Sequence, residues 1–87
     1  MQKSWVYIVT NTDMGKLYIG VTSNLRQRIM EHKTGAHPDG FSNKYNLRRL
    51  VWYREFSNIN DAFIVETRMK AWKRNWKLRE IIEMNPE

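Results

Sequence analysis

A chain of 87 residues with fifteen lysines and arginines against nine acids is short, basic by a formal charge of +6, and free of cysteine. Disulfide scaffolds, thiol nucleophiles and thiolate metal sites are therefore excluded, and the length predicts one domain, residues 1–87, with a single modest core. The opening residues lack an apolar run behind a basic head, and no stretch approaches the ~18–20 apolar residues that span a bilayer, so the expected compartment is the cytoplasm, with no membrane partner.

In chain order, Trp5 to Val9 is β-branched and aromatic with apolar side chains on both faces, and Leu17 to Val21 reads the same way. Residues 11–16 between them hold Asn, Asp and Gly and form a hairpin loop, with Gly15 the candidate for a positive φ. Ser23 or Asn24 caps a helix running to about Lys33, which Gly35 stops. Residues 36–46 form a polar loop, and Leu50 to Phe56 a third strand. Asn60 caps the next helix, which runs to about Arg74, and a last helical piece spans Trp76 to Met84 after a break near Asn75. The fold class is α+β: a small three-stranded antiparallel sheet flanked by helices, in the order β-β-α-β-α-α.

With 11–16 as the loop, Thr10 pairs with Leu17, Val9 with Tyr18 and Tyr7 with Gly20. Tyr7 and Tyr18 then lie diagonally on one face, and Gly20 leaves open space opposite Tyr7. On the first helix Leu25 and Ile29 form the buried stripe, with Arg28 and His32, four apart, stacked at its edge and Arg26 and Lys33 on the other flank. Arg28 and His32 can share a site; equally, Arg28 can snorkel past the core and His32 be a half-buried core residue. On the second helix Ala62, Val65, Met69, Trp72 and Trp76 share one stripe, with Glu66 at its margin. That carboxylate is either in an ion pair with Lys70 or Lys73, or a metal ligand or catalytic acid.

Val6-Tyr7-Ile8, then Tyr18-Ile19-Gly20, Arg28 ten residues beyond Tyr18, His32 four later and a helical Glu66 form an ordered set that resembles the GIY-YIG nuclease family, from Trp5 to about Ile82. Small stand-alone bacterial members and the amino-terminal nuclease domain of the excision-repair endonuclease are the most similar, and the stretch from Phe41 to Asn46 looks like the Phe-Thr-x-Lys-Tyr segment of the small members. The resemblance implies a metal-dependent endonuclease hydrolysing DNA phosphodiester bonds, in repair or recombination, on duplex or branched DNA. It makes Tyr7 and Tyr18 the motif tyrosines, Arg28 the catalytic arginine, His32 an auxiliary catalytic group, and Glu66 the ligand of one divalent metal, Mg²⁺ or Mn²⁺. The chain departs from the pattern where Trp5 and Val6 replace Gly and Ile, and where Val21 stands in place of the lysine usual in the excision-repair branch.

Phosphodiester hydrolysis needs an activated water and positive charge for the developing oxyanion. Tyr7 is the candidate for activating the water, with Tyr18 or His32 orienting it; a free tyrosine titrates near 10, so it would need nearby positive charge to act as a base at neutral pH. Lys33, Lys44, Arg48, Arg49, Lys70 and Lys73, together with Arg68, Arg74 and Lys77, are candidates for holding the rest of the strand. Trp72 and Trp76 fit the core by their spacing, with base stacking the other reading. The competing functions are a nucleic-acid-binding module that keeps the fold without catalysis, and an interaction protein whose charge only solubilises it. The default oligomeric state is a monomer.

Overall fold

The computed structural model describes residues 3–11, 15–34 and 47–84. Their elements are β1 (Ser4–Thr10), β2 (Leu17–Thr22), α1 (Leu25–Thr34), β3 (Arg49–Phe56), α2 (Ile59–Ala71) and α3 (Arg74–Met84), the expected α+β order. The three strands form one antiparallel sheet, ordered β2-β1-β3.

The central position of β1 explains why its sequence is apolar on both faces. Alternate side chains point to opposite sides of a sheet, and here both sides are covered. Val6 and Ile8 join Ile19, Val51, Trp52, Ala62, Met69 and Ile81 beneath α2 and α3. Tyr7 and Val9 pack with Leu47 and the half-buried Leu25, Ile29 and Leu50 beneath α1. A bulge lies between Ile8, which faces Trp52, and Val9, which faces Leu50. The extra residue, Val51, can thus enter the same core as its neighbour Trp52.

The hairpin takes the expected register: Thr10 with Leu17, Val9 with Tyr18, Tyr7 with Gly20. Its loop is closed by Thr10 Oγ1 donating to the Lys16 carbonyl at 2.6 Å and by the Gly15 N–H donating to Asn11 Oδ1 at 2.8 Å. Gly15 does not adopt a positive φ, contrary to the sequence expectation; the Asn11 side chain, and not a left-handed glycine, holds the end of the turn. Asn24 rather than Ser23 caps α1, its Oδ1 accepting from the Gln27 N–H at 3.1 Å.

Two helix boundaries differ from the sequence reading. Asn58, not Asn60, caps α2: its side chain accepts from the Asn60 N–H at 2.8 Å, leaving Asn60 inside the first turn. The break between the last two helices falls at Trp72, whose backbone is extended (φ −67°, ψ 147°), and α3 then starts at Arg74, before Asn75. This break shifts the helical phase. Ala62, Val65, Met69 and Trp72 keep to the core, but Trp76, assigned to the same stripe by spacing, is 53% exposed. The predicted stop at Gly35, the polar loop 36–46 and the stretch from Phe41 to Asn46, Lys44 included, lie outside the described residues. Among the described residues no helix is long and apolar enough to cross a membrane.

Candidate active site

Four elements meet around one hydroxyl. Tyr7 stands at the middle of β1 and is fully buried. Tyr18 reaches it from β2, with ring centroids 6.4 Å apart. His32, on the last turn of α1, completes a triangle of rings, 5.6 Å from Tyr7 and 5.7 Å from Tyr18. The Tyr7 hydroxyl and His32 Nε2 share a hydrogen bond of 3.1 Å, whose donor is set by the imidazole tautomer. His32 is thus a buried residue in contact with both hairpin tyrosines.

Gly20 makes this arrangement possible. A Cβ there would lie 2.9 Å from Tyr7 Cε1, 2.6 Å from Cζ and closer still to the hydroxyl oxygen. The space expected opposite Tyr7 is thus filled by the tyrosine's own ring, which lies across the glycine.

Arg28 sits one turn before His32 on the same side of α1. Its Nη1 pairs with Glu31 Oε1 at 3.2 Å, a partner three residues on that the sequence reading missed although the i,i+3 spacing was visible. Its Nε is buried, with no hydrogen-bond partner within geometric limits among the described residues, and the guanidinium lies close enough to the Tyr7 hydroxyl for each to bear on the other's proton affinity. Burial works against the Arg28 charge, but Tyr7 and Glu31 outweigh it and hold its pKa above the usual value.

Burial dominates Tyr7 and pushes its hydroxyl up to about 12; the Arg28 charge draws it down, while Tyr18 and Glu66 add to the rise. Tyr7, read as the group that activates the water, is therefore held as a neutral phenol at neutral pH. Positive charge is present, as that reading required, but desolvation is the larger effect.

Glu66, on α2, makes the ion pair that the first of its two readings expected, with Lys70 as the partner. Its Oε2 pairs with Lys70 Nζ at 3.4 Å, and its largely buried side chain is near enough for its charge to bear on the Tyr7 hydroxyl. Among the described residues no three His, Asp, Glu or Cys side chains gather as a metal cage. A single carboxylate such as Glu66 is a hard oxygen donor. It fits a cation such as Mg²⁺ that keeps several of its waters and needs one protein anchor.

The predicted strand-holding cations lie in two places, around the junction of α1 with β3 and along α2 into the start of α3. Arg48 donates from Nη1 to the Lys33 carbonyl at 2.9 Å, tying the start of β3 to the end of α1. Lys33 borders a groove between α1 and β3, on the flank of α1 away from His32. Arg49 is exposed at the head of β3, Lys70 pairs with Glu66, and Lys73 lies in the break between α2 and α3.

A three-stranded α+β unit that gathers two hairpin tyrosines, an arginine, a histidine and a helical carboxylate has the build of a nuclease domain of the family the sequence resembles. The sequence model of the GIY-YIG catalytic domain matches residues 3–79, and the chain belongs to that family. Its relatives include UPF0213 proteins of Syntrophus aciditrophicus, 30% identical with 100% of this chain and 98% of that protein covered, and of Staphylococcus haemolyticus, 36% identical with 95% and 99% covered. A UPF0213 protein of Autographa californica nuclear polyhedrosis virus is 34% identical over 91% of this chain and 77% of its own. The solution NMR structure of a UPF0213 protein from Bacillus halodurans is similar in fold, with a TM-score of 0.54 at 27% identity, covering 88% of this chain and 80% of that one.

Proposed function

We propose that the protein is a metal-dependent endonuclease that hydrolyses DNA phosphodiester bonds, and that residues 1–87 act as one catalytic unit. The observation that carries this reading is the Tyr7 hydroxyl, fully buried at the meeting point of Tyr18, Arg28, His32 and the charge of Glu66. Polar groups drawn from four elements around one buried hydroxyl with a shifted pKa are the kind of cluster found at functional sites.

A neutral Tyr7 can still move a proton. It accepts one from the attacking water while passing its own to His32 Nε2, so no free tyrosinate is needed and the imidazole takes the charge. The water oxygen bonds to phosphorus as the bond to the leaving oxygen breaks. Arg28 grips a non-bridging oxygen through the donors that Glu31 leaves available, and Tyr18 holds the water in line. Glu66 would hold the divalent cation, Mg²⁺ or Mn²⁺, which when bound would supply positive charge for the charge that develops on the phosphate.

The test is cleavage of supercoiled plasmid and of branched duplexes with Mg²⁺ or Mn²⁺, for the wild type and for Glu66→Ala. Metal-dependent nicking that Glu66→Ala abolishes, with the circular dichroism spectrum unchanged, supports the reading. Tight DNA binding with no cleavage of any substrate would replace it by the non-catalytic module, a reading favoured by the ion pairs that already engage Glu66 and Arg28.

A further inference from the structure

The excess charge of this protein is local. Residues 68–79 contain six cations and no acid, while the other 75 residues carry nine cations and nine acids. The net +6 therefore belongs to the corner where α2 ends and α3 begins. Of the six cations, Arg68, Lys70, Lys73, Arg74 and Arg79 are exposed and Lys77 is half-buried.

The same corner carries an aromatic pair. Trp72 and Trp76 meet edge to face with centroids 6.1 Å apart, and they line a cleft of about 210 Å³ with Arg79 and Glu80. Trp72 leans on the core, whereas Trp76 is 53% exposed. Lys77, the residue after Trp76 on α3, lines a groove of about 370 Å³ with Lys70, Leu17, Ile19 and Tyr18 of the candidate site. Lys70 in turn touches Glu66. A cationic path thus leads from Tyr18, over the β2 edge, to an exposed indole.

We infer that this corner is a platform for single-stranded DNA flanking the phosphate to be cut, with the Lys70–Lys77 groove holding its backbone and Trp76 stacking an unpaired base. The assignment rests on the nuclease reading of the site and narrows it to substrates with an unpaired segment next to the scissile bond. Two features select this occupant. Six cations within twelve residues, with no acid among them, repel a second copy of the chain and attract a polyanion. An exposed indole among them matches a base free to leave its stack, which a base inside a duplex is not.

The experiment measures binding of a short fluorescein-labelled oligothymidylate, without divalent metal, alongside the same oligomer made of abasic residues. Trp76→Ala should weaken the thymidylate about tenfold and leave the abasic backbone unaffected; Trp76→Phe should recover most of the loss. Tryptophan fluorescence should be quenched by thymidylate in the wild type and less so in Trp76→Phe. If Trp76→Ala binds thymidylate as the wild type does, or loses both oligomers equally, the platform is overturned. Unchanged thymidylate binding with weakened adsorption to phosphatidylserine vesicles would overturn it in favour of an anionic surface. Plasmid cleavage is scored separately: cutting without Trp76 dependence defeats the platform alone, and Trp76 dependence without cutting defeats the nuclease reading alone.

Discussion

The candidate site and the α2–α3 corner carry the polar chemistry of this protein on opposite plans. The site draws five side chains from four elements and encloses them: Tyr7 is fully buried, His32 nearly so, and Tyr18, Arg28 and Glu66 partly. The corner draws six cations from twelve consecutive residues and leaves five of them in water. Enclosure fixes geometry and shifts proton affinity, as the rise of Tyr7 to about 12 illustrates. Exposure leaves charge mobile and screened but accessible to a long polyanion. The lesson is a division of labour: the site should govern rate and the corner affinity.

The strongest way to break that division is Tyr7→Phe. Phenylalanine keeps the ring that lies across Gly20 and removes the oxygen that meets His32. Single-turnover cleavage should fall by about 100-fold or more, the scale of a lost proton-transfer group, while oligonucleotide affinity by fluorescence anisotropy stays within about twofold of wild type. Undiminished cleavage would remove Tyr7 from the chemistry.

A smaller effect separates the two regions by pH. Tyr7 is more weakly acidic in the fold, at about 12, than an ordinary tyrosine near 10, so the folded state favours its protonated form. The stability gained this way is intact below about pH 10 and is lost as pH rises through about 12. A shift of that size corresponds to about 2–3 kcal/mol. Urea unfolding at about pH 9 and about pH 11.5 should show the wild type losing more stability than Tyr7→Phe by an amount of that order. Equal losses would mean that the hydroxyl is not enclosed.

The two regions also differ in how far they could be read from the chain. The hairpin was legible because two β-branched and aromatic runs flank a loop of Asn, Asp and Gly, and period-two alternation then sets Tyr7 and Tyr18 on one face. Arg28 and His32 were legible as an i,i+4 pair. The proton affinity of Tyr7 was not, because sequence displays the cation that lowers it but not the burial that raises it more. At the corner, Trp72 and Trp76 kept to the apolar period, which hid the break between them; one extended residue turned a core position into an exposed one. Choosing between Asn58 and Asn60 as cap was equally beyond reach, since both are capping residues and a single side-chain hydrogen bond decides.

The finest test asks whether the corner's charge acts locally or as a diffuse cloud. Each phosphate contact on a single strand releases counterions and adds about 0.7 to the slope of log affinity against log salt. Lys77→Gln should lower that slope by about this amount, with only a few-fold loss of affinity at low salt. Lys3→Gln removes the same charge from the start of β1, where the ammonium pairs with Glu55 at 3.5 Å. Because Lys3 lies outside the 68–79 stretch, its loss should leave the slope unchanged. Equal slopes for the two variants would mean that the oligonucleotide senses the net charge of the whole surface, and the contrast between a positioned site and a local binding corner would then rest on Trp76 alone.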